Sequence, residues 1–211
     1  MSQKLRVLLA VFLGTLFLDQ GSKVWTVASL AYRGPRLDER AAAGLAQLGH
    51  SSTHPVELVV FPNLLELVHA QNPAAAMGMM LGFEHRYIVF AVITVVAVGV
   101  LTMMYRALPP TDRYQAATIG FLLAGALGNA IDRAHKGAVT DMIRVIVEPE
   151  PFKSWMIAAI GTNQWYTFNV ADVSIFVGVG LYLLVSLFQK DGAPTEEDAG
   201  ASPLEETPTG V

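Results

Sequence analysis

Residues 87–105 read YIVFAVITVVAVGVLTMMY, nineteen uncharged residues held between Arg86 and Arg106. With its flanks, such a run is long enough as a helix to cross the roughly 30 Å hydrocarbon layer of a bilayer. Two similar runs follow, eighteen residues between Arg113 and Asp132 and seventeen between Asp172 and Lys190. A fourth lies near the N-terminus, where Val7 to Leu18 is apolar or small, Asp19 and Lys23 interrupt, and Val24 to Tyr32 resumes. Taken as one span, that segment completes four predicted membrane helices, over about 6–28, 86–106, 113–133 and 166–189. The N-terminal segment also fits a cleaved secretory signal, with Lys4 and Arg6 ahead of a short apolar core and small residues near Ala28 and Ala31. Asp19 and Lys23, however, are spaced i,i+4 on one helical face, where two charges pair. A discarded peptide has no need of that.

The composition agrees with a multi-span membrane protein. At 53% hydrophobic and 15% charged residues, the 211-residue chain has too little polar surface for an ordinary soluble domain. Its formal charge of −4 is a property of the tail, since Lys190 onward holds six acids against one base and the remainder sums to +1. There is no basic field and no phosphate-loop or nucleic-acid motif, so no nucleic-acid partner is expected. The chain has no cysteine, which excludes a thiol nucleophile, a thiolate metal site and disulfides. His50 and His54 are four apart, but neither a helix nor an acidic third ligand is expected there. No metal and no cofactor are expected.

Between the spans, 29–85 and 134–165 are expected outside the membrane. Glu57–Phe61, Pro62-Asn63 and Leu64–Ala70 read as two short strands around a turn. Met142 to Val147 is strand-like, Pro149 and Pro151 break it, and Trp155 to Ile160 is a short amphipathic stretch. Trp155, Trp165 and Tyr166 suit the headgroup level. The fold class is therefore an all-α membrane protein, a four-transmembrane-helix bundle with a small extracytoplasmic β element. Residues 1–190 form the membrane domain, and 191–211, rich in Pro, Glu, Gly and Thr, form a disordered acidic cytoplasmic tail.

Four spans place both termini on one side. With cytoplasmic termini, five bases lie inside (Lys4, Arg6, Arg106, Arg113, Lys190) and nine outside, which runs against the positive-inside rule. Several outer bases sit among acids, whereas Lys4 and Arg6 flank the first span with no acid nearby. The expected orientation rests mainly on the resemblance described below.

The chemistry gathers at the mouths of the last two spans. Gly128-Asn129-Ala130-Ile131-Asp132-Arg133 closes one, with Val139-Thr140-Asp141 just beyond it, and Phe168-Asn169-Val170-Ala171-Asp172 opens the next. An ionised carboxylate near hydrocarbon is costly, so Asp141 and Asp172 are functional candidates by default. Span three ends and span four begins on the same side, which brings the two together. Paired carboxylates near 3 Å apart share a proton, leaving one basic enough to activate water, which is aspartic-protease chemistry. Solvated loop carboxylates are the plainer reading of either one alone. Asp132 and Arg133 are expected to pair and fix the loop that carries Asp141, or else to form only a capped, snorkelling helix end. Asn72 is placed to orient an extended substrate backbone, since its amide both donates and accepts; otherwise Asn72 to Gly78 is a re-entrant loop. Ala124, Gly125, Ala126, Gly128 and Ala130 are expected to permit close helix packing.

Asp19-Gln20-Gly21-Ser22-Lys23, Asn72 to Gly78, the 128–133 motif with Val139-Thr140-Asp141, and Phe168 to Asp172 occur in the order seen in lipoprotein signal peptidase, also called signal peptidase II. The chain resembles that family over about residues 5–189. The resemblance implies a four-helix aspartic endopeptidase of the bacterial inner membrane, with both termini cytoplasmic and the site near the outer face. Its substrates would be diacylglyceryl-modified prolipoproteins, cut before the lipidated cysteine, with membrane lipid as the other partner, and a globomycin-sensitive product would mark the class. A monomer is expected. By the same resemblance Asp141 and Asp172 match the catalytic dyad, and Asp19, Lys23, Asn72, Asn129, Asp132, Arg133, Asn169 and Ala171 match the motif residues around it. The chain departs from the pattern at Ala74, where Gly is usual and a methyl would narrow the lipid-bearing groove. It departs also at Thr140-Asp141-Met142, in place of Val-Asp-Phe, and in the longer loop 30–56 and tail. A small transporter or channel is the alternative, but it calls for polar residues along the span interiors, and here the charges cluster at one end. A non-catalytic scaffold needs no aspartate pair, and the Gly-x-Gly-Asp of presenilin-type proteases is absent.

Overall fold

The computed structural model describes residues 1–31, 57–73 and 86–190. Expectations for the loop 32–56, for Ala74 to Gly78, for His50 and His54 and for the tail 191–211 lie outside the described residues. Helix α1 (Gln3–Ser29) starts on Ser2, whose hydroxyl accepts from Leu5 N–H. After the hairpin β1 (Glu57–Phe61) and β2 (Leu65–Asn72) comes α2 (Arg86–Ala107). Then follow α3 (Arg113–Lys136), β3 (Val139–Val145), α4 (Phe152–Ile160) and α5 (Val170–Lys190). α1, α2, α3 and α5 are each long and apolar enough to cross a membrane.

Helix α3 is the hub. It packs on α1, α5 and α2, and half of its most apolar window is buried, against none of the corresponding window of α2. Ile88, Val92, Val96 and Met103 of α2 are exposed, as suits a helix facing lipid on most sides. Small residues of α3 set the close approaches, as expected. A Cβ on Gly125 would lie 2.5 Å from the Ala171 carbonyl oxygen of α5, and one on Gly128 would lie 2.4 Å from Asp19 Oδ2 of α1. At the end holding the N-terminus, Leu8, Ala116 and Ile119 are buried with Leu101, Met104 and Tyr105 against them. Lys4 Nζ donates to the Leu108 and Tyr105 carbonyls at 2.5 and 3.2 Å, satisfying the open C-terminal end of α2 with a cation.

At the other end stands a three-stranded antiparallel sheet, ordered β1-β2-β3. The hairpin follows the sequence, with Asn63 at its turn in the left-handed region (φ 62°). The third strand differs: it begins at Val139, three residues earlier than expected, and so carries Asp141. The helix before it runs on past 133 to Lys136 and stops at Gly137, whose φ of 72° an L side chain rarely adopts. The last apolar run, expected as a span from 166, becomes helical only at Val170. Residues 164–168 instead lie along β3, with bridges Ile146 to Gln164 and Ile143 to Phe168.

Candidate active site

Asp141 and Asp172 meet because β3 is stitched to the segment entering α5. The Phe168 carbonyl accepts from Met142 N–H at 3.0 Å and Ile143 N–H at 2.8 Å, and Phe168 N–H donates back to the Ile143 carbonyl. That pairing sets Asn169 beside Asp141. Asn169 is also the N-terminal cap of α5. Its Oδ1 accepts from Asp172 N–H at 3.0 Å while Asp172 Oδ2 accepts from Asn169 N–H at 3.1 Å, a reciprocal capping box. The Asn-x-x-Asp spacing is what closes it.

Each carboxylate oxygen of the pair takes one N–H. Asp141 Oδ1 accepts from Asn169 Nδ2 at 2.7 Å and its Oδ2 from Asn72 Nδ2 at 3.2 Å. Asp172 Oδ1 accepts from Asn129 Nδ2 at 2.8 Å. Asn169 thus touches both carboxylates, and its second amide hydrogen goes to Asn129 Oδ1 at 3.2 Å. Asn129 Oδ1 also accepts from Lys23 Nζ at 3.1 Å. Because an ammonium only donates, it fixes which end of the Asn129 amide faces it, and Asn129 in turn turns its NH₂ toward Asp172.

Lys23 and Asp19 form the i,i+4 pair expected, at 2.9 Å and fully buried. Asp19 Oδ1 accepts from Ala171 N–H at 2.9 Å, an orphan donor in the first turn of α5, so α1 and α5 are joined directly. Asp132 does anchor the loop carrying Asp141, since its Oδ2 accepts from Thr140 N–H at 2.8 Å. Its cations, however, are Lys136 at 3.1 Å and Lys23 at 3.5 Å rather than Arg133. Adjacent residues on a helix point to different sides. The Arg133 guanidinium lies over the Phe90 ring of α2, 4.3 Å from its centroid, and Nη1 reaches the Asn129 carbonyl at 3.5 Å.

Burial, followed by the nearby Asp172 carboxylate, pushes Asp141 up from its ordinary 3.8 to about 7. The amides of Asn169 and Asn72 and the Lys23 charge oppose that rise without cancelling it. Asp141 is 1% exposed, whereas Asp172 is partly open and lines a cavity of about 430 Å³ with Trp165, Tyr166, Phe168, Ile175 and Phe176. This largely apolar cavity therefore gives access to Asp172 from the α5 side.

The sequence reading gave no role to Gln20, Lys136, Gln71 or Thr140, although Gln20 and Thr140 lie within the motifs it quoted. Gln20 Nε2 donates to Asp19 Oδ2 at 2.8 Å and to the Gly128 carbonyl at 3.2 Å. Lys136 lies four residues after Asp132 and four before Thr140, a spacing that marks it as a clamp once the helix is extended to reach it. Among the described residues, no group of three or more His, Asp or Glu is disposed to hold a metal ion.

This architecture and these motifs have counterparts in known proteins. The lipoprotein signal peptidase of Geobacter sulfurreducens is 32% identical over 88% of this chain and 94% of its own. That of Methylorubrum extorquens is 32% identical over 91% and 92%. A solved structure described as a bacterial membrane enzyme, determined by the in meso method at 2.3 Å, superposes with a TM-score of 0.61 at 22% identity, covering 90% of this chain and 92% of that one. The family model described as signal peptidase (SPase) II matches residues 11–188, a stretch that contains both carboxylates, every residue that holds them and the whole three-stranded sheet, and the chain belongs to that family.

Proposed function

We propose that this signal peptidase, which removes signal peptides from prolipoproteins, works as an aspartic endopeptidase with Asp141 and Asp172 as its dyad. The observation that carries the reading is the set of four N–H donors, one on each carboxylate oxygen, with Asn169 common to both residues. None of these partners accepts a proton. The pair can pass one only to its own members, to water or to substrate.

With Asp141 raised to about 7, the dyad holds one proton near neutral pH. The ionised member takes a proton from a water as that water's oxygen attacks the scissile carbonyl carbon. The protonated member hydrogen-bonds the carbonyl oxygen as negative charge gathers on it. Collapse of the tetrahedral adduct breaks the C–N bond, and the proton taken from water passes to the leaving nitrogen. The new carboxyl end and the new amine then leave, and the dyad is again singly protonated.

The cavity beside Asp172 supports a substrate that arrives from the membrane, lipid chains first. Its walls include Ile175 and Phe176 of α5, and Phe176 is exposed on a helix that faces hydrocarbon. A diacylglyceryl group gains about 0.8 kcal/mol per buried CH₂ at such a site. Both termini are cytoplasmic and the sheet faces outward in this account, and the protein acts as a monomer. The excess of outer bases that opposed this orientation loses weight, because Lys23, Lys136, Arg144 and Lys153 are all in ion pairs with acids of the same side. A transporter or channel is not favoured by a polar cluster confined to one end.

The test is cleavage of a diacylglyceryl-modified prolipoprotein by the purified protein. Asp141→Asn and Asp172→Asn are each expected to abolish release of the signal peptide, with insertion intact and with metal chelators without effect on the parent. Cleavage by either variant near the parental rate overturns the aspartic mechanism.

A further inference from the structure

Alternate residues of β2 and β3 face opposite sides of the sheet. In the observed register Ala70 pairs with Asp141 and Asn72 with Val139, so these four share the face that carries the dyad residue. His69, Gln71, Thr140 and Met142 share the other, and all four are buried. That hidden face is polar and continuous. Lys136 Nζ donates to Thr140 Oγ1 at 3.0 Å, and Gln71 Nε2 donates to the same oxygen at 3.3 Å. Gln71 Nε2 is 3.0 Å from His69 Nε2, and His69 Nδ1 is 3.3 Å from the Leu30 carbonyl at the end of α1. The remaining member, Met142, accepts from Thr26 Oγ1 of α1 at 3.5 Å. Thr140 N–H, meanwhile, goes to Asp132.

These contacts fasten the sheet to the ends of α1 and α3, and the sheet carries one half of the dyad while α5 carries the other. Resting on the aspartic reading above, we infer that Thr140 is a positioning residue: its hydroxyl locks the strand bearing Asp141 to α3 and β2, and thereby fixes the separation of Asp141 from Asp172. Thr140 is fully buried and has no access to substrate. Its influence on the reaction is through the placement of its neighbour.

The charges that act on Asp141 are Asp172 of α5, Lys23 of α1 and Arg133 of α3, while Asp132 and Lys136 of α3 and His69 of β2 stand around Thr140 and Gln71 on the other face. Thr140→Val installs the residue usual at this position in the family, changes none of these charges and keeps the side chain's shape, so it isolates what the hydroxyl adds in this chain, where Lys136 and Gln71 both donate to it. It removes the acceptor shared by Lys136 and Gln71, leaving Lys136 with Asp132 and Gln71 with His69, so that neither holds the strand through residue 140. With the strand less firmly held, kcat is expected to fall about tenfold, with KM changed less, since misplacement of reacting groups is costly. The two apparent pKa values that bound the pH–rate profile should also draw together, because the mutual influence of two carboxylates weakens with distance.

Thr140→Ser keeps the hydroxyl and is expected to restore both the rate and the spread of the profile. A local loss of packing alone would lower the folded fraction without moving the apparent pKa values of what remains. Gln71→Leu, which leaves the Lys136 bond in place, is the second variant and decides the matter if Thr140→Val does not insert. A smaller change in the same direction is expected, and the double variant, in which both polar partners are gone, should lose less than the two single losses combined. Parental rate and profile in Thr140→Val, equal losses in the Val and Ser variants, or strictly additive losses would overturn the inference. If Asp141→Asn is inactive while Thr140→Val behaves as the parent, the positioning role alone fails. If Asp141→Asn still cleaves, the dyad itself is wrong.

Discussion

Asp172 lies in the first turn of α5 and takes its position mainly from its own segment, through the box it closes with Asn169, with one bond from Asn129 of α3, whereas Asp141 lies on a strand and depends on residues from three other elements. Asn72 of β2, Asn169 ahead of α5, Asp132 of α3 through the Thr140 amide, and the Phe168 carbonyl all bear on where its carboxylate sits. The difference teaches that one half of the site is encoded largely by its own segment and the other by the fold. The local half should tolerate distant change. The other should not.

The largest effect should ignore this difference. Asp141→Asn and Asp172→Asn are expected to lower turnover by about a thousandfold or more, the scale of acid–base catalysis, however differently the two are held. The double variant should be hardly slower than either single one, because the residues act as a unit. Rate measurements on the three variants with one lipidated substrate check this, and losses that multiply would mean that the two carboxylates act separately.

Next comes the anchor on the sheet side. Asp132→Asn leaves Lys136 without its carboxylate and Lys23 with Asp19 alone, and losing a hydrogen bond to a charged group costs about 1.5–3 kcal/mol. The yield of folded protein and its unfolding midpoint in detergent should both drop. Asn169→Ala removes the side chain that donates to Asp141 Oδ1 and caps α5 at the Asp172 N–H, and leaves only the backbone N–H on Asp172 Oδ2. A loss of about a hundredfold in turnover is expected from misplacement, with about 1 kcal/mol of stability lost with the cap. A rate loss confined to what the stability change explains would show that Asn169 merely starts the helix.

The smallest effects contrast inner and outer helix faces. Gly128→Ala pushes a methyl against Asp19 Oδ2 and should destabilise the protein by about 1–3 kcal/mol, as overpacking does. Gly99→Ala on α2 meets nothing within 4 Å and should be neutral or stabilising by at most about 1 kcal/mol. Thermal unfolding of the two variants side by side checks the pair.

The spans were legible because membrane helices announce themselves by length and by the absence of charge, and Asp19 with Lys23 by the i,i+4 rule. The hairpin was legible from Pro62-Asn63. What the sequence hid depended on partners distant along the chain. Nothing in Trp165 to Phe168 says that these residues pair with β3, so the last helix was expected to begin too early. The end of α3 was placed at the last charge of the motif, when the true stop is the left-handed Gly137. The partner of Asp132 was sought next to it, whereas it came from α1, a hundred residues away, and from one turn onward. The hidden polar face was missed for a related reason. Its alternation, His69 and Gln71 against Thr140, becomes visible only once β2 and β3 are set in register.

The central claim is that Asp141 and Asp172 hold one proton between them at neutral pH, and its most direct measurement is an infrared titration of the carboxyl groups in the purified protein, with Asp141→Asn and Asp172→Asn as references. An isolated carboxyl would lose its proton near 3.8, so a protonated-carboxyl band that persists in the parent at pH 6 and fades as the pH rises through about 7, and that is absent from the Asp141→Asn spectrum, is the expected result. Full ionisation of both carboxyls by pH 5, with the enzyme active at pH 7, would contradict it.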